Sequence, residues 1–133
     1  MAAEVDCSGR CPRAICIRLA GDWTADDLVR AAETWHTMAA AATDEPVLVI
    51  DLSESHRMPD RLLARMADVT RYIPPGKYQT VIVGVHGAEA RIVDHLIRSF
   101  FPSVVKKLSF QDTLETAEAY LVGERVGAVR SGR

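Results

Sequence analysis

Val47-Leu48-Val49-Ile50-Asp51-Leu52-Ser53 is the stretch on which the fold turns. Four apolar residues in unbroken succession, entered through Asp44-Glu45-Pro46 and left through polar residues, read as a strand buried on both faces. A strand with one face in water would alternate instead. Thr80 to Val85, Thr-Val-Ile-Val-Gly-Val, repeats the pattern. Between the two runs, Leu62, Met66, Val69 and Ile73 recur at helical spacing. That helix is expected to take Pro59 as its first residue, where proline is tolerated, and to end at Pro74-Pro75-Gly76. A buried strand, a helix and a second buried strand make a right-handed parallel crossover.

The same alternation extends outward in both directions. Ala14 to Ala20 reads as a strand followed by Gly21, and Glu4 to Cys7 is expected to pair back onto it through the Gly9-Arg10 turn. Thr24 and Asp27 form a capping-box pattern ahead of a helix over Ala25 to Ala42. Downstream, Ile92, Val93, Leu96, Ile97, Phe100 and Phe101 mark a helix from Ala88 to Phe101, which Pro102 stops. Lys107 to Phe110 reads as a short edge strand, and Asp112 with Glu115 as the cap of a last helix through Val122. The prediction is an α/β fold, a mostly parallel sheet of four to five strands flanked by four helices. Residues 1–13 form an N-terminal segment carrying the hairpin strand, 14–122 the domain, and 123–133 a flexible tail.

Composition narrows the function classes. The length of 133 residues suits one domain. Sixteen basic against eighteen acidic side chains, a net charge of −2, argue against a dedicated nucleic-acid binder. No apolar run reaches the ~18 residues of a transmembrane helix. Met1 to Asp6 lacks the positive start and apolar stretch of a secretion signal, so a cytoplasmic location is expected. Three cysteines, an odd number, do not form a disulfide framework.

In parallel sheets, sites gather beyond the carboxyl ends of the strands. Here that edge carries Gly21-Asp22-Trp23, Asp51 to Met58, and Val85-His86-Gly87. Ser53 or Ser55 with His86 or His56 and Asp51 could compose a nucleophilic triad, but neither serine has the flanking glycines of a nucleophile elbow. No catalytic residue is therefore assigned, and a hydrolase using Ser55 and His86 is the least favoured reading. Cys7, Cys11 and Cys16 lack the paired spacing of a zinc site, and His36 and His95 have no H-x-x-x-H partner, so no metal is expected. Gly84 and Gly87 stand at the wrong spacing for a phosphate cradle, and no cofactor is expected.

Against this background, Val47 to Ser53 and the order of elements resemble the STAS domain, the fold of anti-sigma-factor antagonists. That family runs an apolar strand into D-L-S and then places D-S-[ST]-G-L at a helix start, where the serine is a phosphorylation switch. On this chain Asp60 falls at the serine, Pro59 replaces the aspartate and Leu62 the glycine. The resemblance thus implies a fixed carboxylate where the family has a reversible charge, with mimicry of the phosphorylated serine left open. The SpoIIAA-like branch is more similar still. Its G-x-h-T, F-F-P and E-A-x-x-[WY]-L motifs correspond to Gly21 to Thr24, Phe100-Phe101-Pro102 and, in altered spacing, Glu118 to Leu121. This branch is also similar in fold to CRAL-TRIO lipid-binding domains, which implies an apolar ligand or a membrane surface.

The leading expectation is a non-enzymatic binding module for an apolar or amphipathic, lipid-like ligand. Its walls are expected at Met58, Leu62, Met66, Ile92, Leu96 and Phe100, and its polar contacts at His86, Arg91 and His95. The alternative is a regulatory protein-interaction domain without the phosphorylatable serine, contacting its partner through Ser55, Asp60 and Arg61. The apolar face of the third helix has three readings: core, pocket wall, or contact with a second copy of the chain in a homodimer.

Overall fold

The computed structural model describes residues 3–7, 11, 13–85 and 87–129. In chain order the elements are β1 (Ala3–Cys7), β2 (Ala14–Leu19), α1 (Ala25–Ala40), β3 (Val47–Asp51), α2 (Leu62–Tyr72) and β4 (Thr80–Val83). They continue with α3 (Gly87–Phe100), a 3-10 helix (Pro102–Lys107), β5 (Leu108–Gln111) and α4 (Leu114–Val129). Among the described residues, one five-stranded sheet runs β1-β2-β3-β4-β5. The hairpin strand β1 is antiparallel to β2, and every other pairing is parallel.

The unbroken apolar runs are explained by burial on both sides of the sheet. Toward one face, Ile15, Ile17, Leu19, Leu48 and Ile82 pack with Leu28 and Trp35 of α1, Val69 of α2 and Val93 of α3. Toward the other, Cys16, Val47, Val49, Val81 and Val83 pack with Ala117 and Leu121 of α4. Trp35 is fully buried. Its indole N–H donates to the Ile15 carbonyl at 2.8 Å, which removes the cost of burying that donor.

Helix α1 begins as expected. Asp27 N–H donates to the Thr24 hydroxyl at 3.1 Å and Thr24 N–H to the Asp27 carboxylate at 2.9 Å. The second bond holds the Asp27 carboxyl below its usual range.

The larger departures from the sequence expectation each have a local reason. Helix α2 starts at Leu62 rather than Pro59, because Arg61 adopts left-handed φ of 61° and ends the preceding turn. Strand β4 stops at Val83, since Gly84 at φ 84° turns the chain away from the ladder. The cap of α4 is not Asp112 with Glu115. Thr113 and Thr116 exchange backbone N–H to hydroxyl bonds, both at 3.1 Å, one residue further on. Helix α4 also runs past Val122 to Val129, since Gly123 and Gly127 weaken a helix without breaking it as proline does. Residues 130–133, the end of the expected tail, lie outside the described residues.

Candidate functional site

The loop from Leu52 to Arg61 joins β3 to α2 at the carboxyl edge of the sheet. It is fixed at its base. Leu52 N–H donates to the Val83 carbonyl at 2.8 Å. Asp51, buried at the strand end, accepts from the Ser53 N–H at 3.0 Å, the Ser53 hydroxyl at 2.5 Å and the Arg18 guanidinium at 3.4 Å. Gly84 lies so close that a Cβ there would sit 2.5 Å from the Ser53 backbone. Beneath this corner, burial and then the Asp51 carboxylate push the Cys16 thiol up to about 12.

A second set of contacts braces the middle of the loop. Gly21 N–H donates to the Glu54 carbonyl at 2.8 Å, and His56 N–H to the Gly21 carbonyl at 3.0 Å, so Gly21 and Ser55 form a parallel bridge. The indole of Trp23, itself buried, donates to the Ser55 hydroxyl at 2.8 Å. The chain then emerges at Met58, 42% exposed, passes the exposed Asp60 and Arg61, and enters α2 with Leu63 46% exposed.

Among the described residues, this arrangement does not assemble a triad. The Ser53 hydroxyl donates to Asp51. The Ser55 hydroxyl accepts from Trp23 and donates to the Arg57 carbonyl at 3.4 Å. His56 faces Asp22 at 3.5 Å on the surface. Among the described residues, neither serine is bonded to a histidine, and no three of His, Cys, Asp and Glu come together. His86 lies outside the described residues.

Between α2 and α3, over β3 and β4, runs an apolar groove with two lobes. The outer one, about 140 Å³, has Met58, Leu62, Leu63, Met66, Leu96 and Phe101 among its walls. The inner one, about 130 Å³, reaches Ile73, Pro74 and Tyr78. Met66, Ile97 and Phe101 border both. Of the residues singled out from sequence, the structure thus brings together Met58, Leu62, Met66 and Leu96. Ile92 is 58% exposed and stands apart from both lobes, as do Arg91 and His95. The side chain of Phe100 lies outside the described ones.

Leu63, Ile97 and Phe101 were not foreseen as walls of the groove, nor was the tie between Trp23 and Ser55. Leu63 falls beside the α2 stripe rather than on it, which is the signal that marks it as a surface residue. Trp23 is 32 positions from Ser55, a separation no local pattern reveals.

No helix among the described residues is long and apolar enough to cross a membrane. No family model matches the sequence, nor does any curated protein. Among solved structures, the chain is similar to the anti-sigma factor antagonist SpoIIAA in its unphosphorylated form. The TM-score is 0.57 at 12% identity, over 91% of this chain and 97% of that one. The expected STAS fold, SpoIIAA-like in its α/β arrangement, is therefore the fold of this chain.

Proposed function

We propose that this chain is a non-enzymatic, regulatory protein-docking module of the anti-sigma-factor-antagonist type, which presents the start of α2 to a cytoplasmic partner. The observation that carries this reading is the braced loop ending in exposed Met58 and Leu63 beside Asp60 and Arg61. Apolar side chains rimmed by charge are the makings of an interface. The ties from Gly21 and Trp23 lower the cost of ordering the loop on association. The likeness in fold to an anti-sigma factor antagonist supports the same class. Asp60 has no hydroxyl, so a serine-type phosphate ester has no acceptor at that position. Ser55 supports the surface from below through Trp23, while Asp60 and Arg61 meet the partner.

The test is capture of the partner from extract on the immobilised full chain, followed by its identification and a binding measurement. Asp60→Ala with Arg61→Ala is expected to weaken that partner at least about tenfold, and Arg91→Ala on α3 to leave it unchanged. Equal affinity of the double variant and the parent overturns the reading.

A second reading is favoured by the groove, whose walls are almost wholly apolar and whose two lobes share a boundary. Such a cleft suits a short hydrocarbon or acyl segment. Native mass spectrometry of the purified chain is expected to show a lipid-like species, lost when Leu96→Trp fills the outer lobe. Absence of any such species, together with no thermal stabilisation by added fatty acid, removes this reading.

A further inference from the structure

At the opposite end of the sheet from the docking loop lies a pocket of about 300 Å³. Its walls come from the residues that precede the parallel strands: Arg13 before β2, Glu45 and Pro46 before β3, Gln79 before β4 and Lys107 before β5. Tyr120 of α4 closes it. Strands of four to six residues separate the two edges, at about 3.3 Å per residue. A ligand here does not touch the docking loop, and the fate of either reading is independent of the other.

The backbone holds this pocket in shape. The Arg13 carbonyl accepts from Val47 N–H at 2.8 Å and the Gln79 carbonyl from Leu48 N–H at 2.9 Å, so β3 extends its ladder into the pocket wall. The charges, by contrast, are not neutralised from within. Arg13 Nε is buried and has no hydrogen-bond partner among the described residues. The Lys107 ammonium donates to the Lys77 carbonyl at 3.3 Å rather than to a carboxylate. Nε itself is sealed from solvent, so a ligand meets Arg13 through the rest of the guanidinium that lines the pocket.

We propose that this pocket binds a small organic carboxylate, held by Arg13 and Lys107. Two cations against the single carboxylate of Glu45 leave one positive charge among the lining residues, which a monoanion neutralises. A phosphate ester would bring a second negative charge toward Glu45. A planar carboxylate also matches the fork of a guanidinium, and its charge-assisted bonds are the strong ones. Pro46, Val47 and Tyr120 supply apolar wall for the body of the ligand. The volume admits a group the size of an aromatic ring, since a cavity of about 150 Å³ already holds benzene.

Titration of the full chain with benzoate, hexanoate and inorganic phosphate, followed through backbone amide NMR, reads affinity and location together. Saturable shifts are expected with a carboxylate at Arg13, Glu45, Val47, Gln79, Lys107 and Tyr120, with phosphate binding more weakly. Arg13→Gln is expected to weaken binding about tenfold or more, and Lys107→Gln, at an exposed position, about threefold or more. Glu45→Gln is expected to tighten it, a change that damage to the fold cannot produce. The proposal is overturned by shifts located elsewhere, by the absence of saturation with both carboxylates, or by tighter binding of phosphate. It is equally overturned if Arg13→Gln and Lys107→Gln both bind like the parent.

Discussion

The Trp23 indole N–H donates to the Ser55 hydroxyl across 2.8 Å, joining the segment after β2 to the loop after β3. Trp23 is buried, so its N–H depends on that hydroxyl, while the parallel bridge between Gly21 and Ser55 holds the two backbones at the distance the bond needs. Removing the hydroxyl leaves a buried donor unsatisfied, at a cost of about 1–3 kcal/mol. Ser55→Ala is therefore expected to lower the urea midpoint with an unchanged m-value. A midpoint equal to the parent's would show that the indole finds another acceptor.

Gly84 and Gly21 both have positive φ, at 84° and 62°, yet they should respond differently to a methyl group. At Gly21 a Cβ meets nothing within 4 Å, whereas at Gly84 it lies 2.5 Å from the Ser53 backbone. Gly21→Ala carries only the left-handed penalty, about 1 kcal/mol. Gly84→Ala adds a clash with backbone that Asp51 pins in place, for a total of about 3 kcal/mol or more. Thermal melts of the two variants are expected to rank Gly84→Ala well below Gly21→Ala. The reverse order would mean that the β3–α2 loop yields freely at Ser53.

What was legible in the sequence was whatever a single segment determines. Val47 to Ile50 and Thr80 to Val83 announce buried parallel strands because nothing but two-sided burial tolerates such runs. Thr24 and Asp27 announce α1 because a capping box is local. The cap of α4 was read one residue early, at Asp112, because the bonds that Thr113 exchanges with Thr116 form only once the turn is closed. The groove was half legible. The α2 stripe places Leu62 and Met66 correctly, but on α3 it is Val93 that is buried in the core while its neighbour Ile92 faces solvent. Adjacent apolar residues on a helix do not reveal which one faces inward. The amino-edge pocket was invisible, because Arg13, Glu45 and Lys107 meet only once the strands are aligned.

Arg61 occupies the left-handed region at φ 61°, where a Cβ crowds the backbone and glycine fits without strain. Relief of that strain, about 1 kcal/mol or more, is partly offset by the greater entropy glycine loses on folding. Arg61→Gly is expected to gain about 0.5 kcal/mol, and the β-branched Arg61→Val to lose more than that. Chemical denaturation of the pair checks both signs. A loss in the glycine variant would mean that the arginine side chain stabilises the turn by more than its backbone strains it.

Cys16 gives the fold a defined alkaline weakness. Its thiol ordinarily titrates at 9.0 and is pushed up to about 12 by burial and by the Asp51 carboxylate. The native chain therefore keeps a proton that the unfolded chain releases, and stability falls as the unfolded state comes to bind fewer protons. The contribution is fully present below pH 9.0 and is lost as pH rises toward 12. Three pH units correspond to about 4 kcal/mol in total, of which about 2 kcal/mol is gone midway. Cys16→Ala is expected to start less stable, from the buried volume it gives up, but to show a shallower decline over that window. Every other ionisable group is common to both proteins, so the difference between the two pH profiles isolates the thiol. Parallel profiles would overturn the assignment. Labelling at pH 8 provides an independent check, because Cys7 is exposed while Cys11 and Cys16 are buried. One thiol is expected to react at once and the other two only as the chain unfolds.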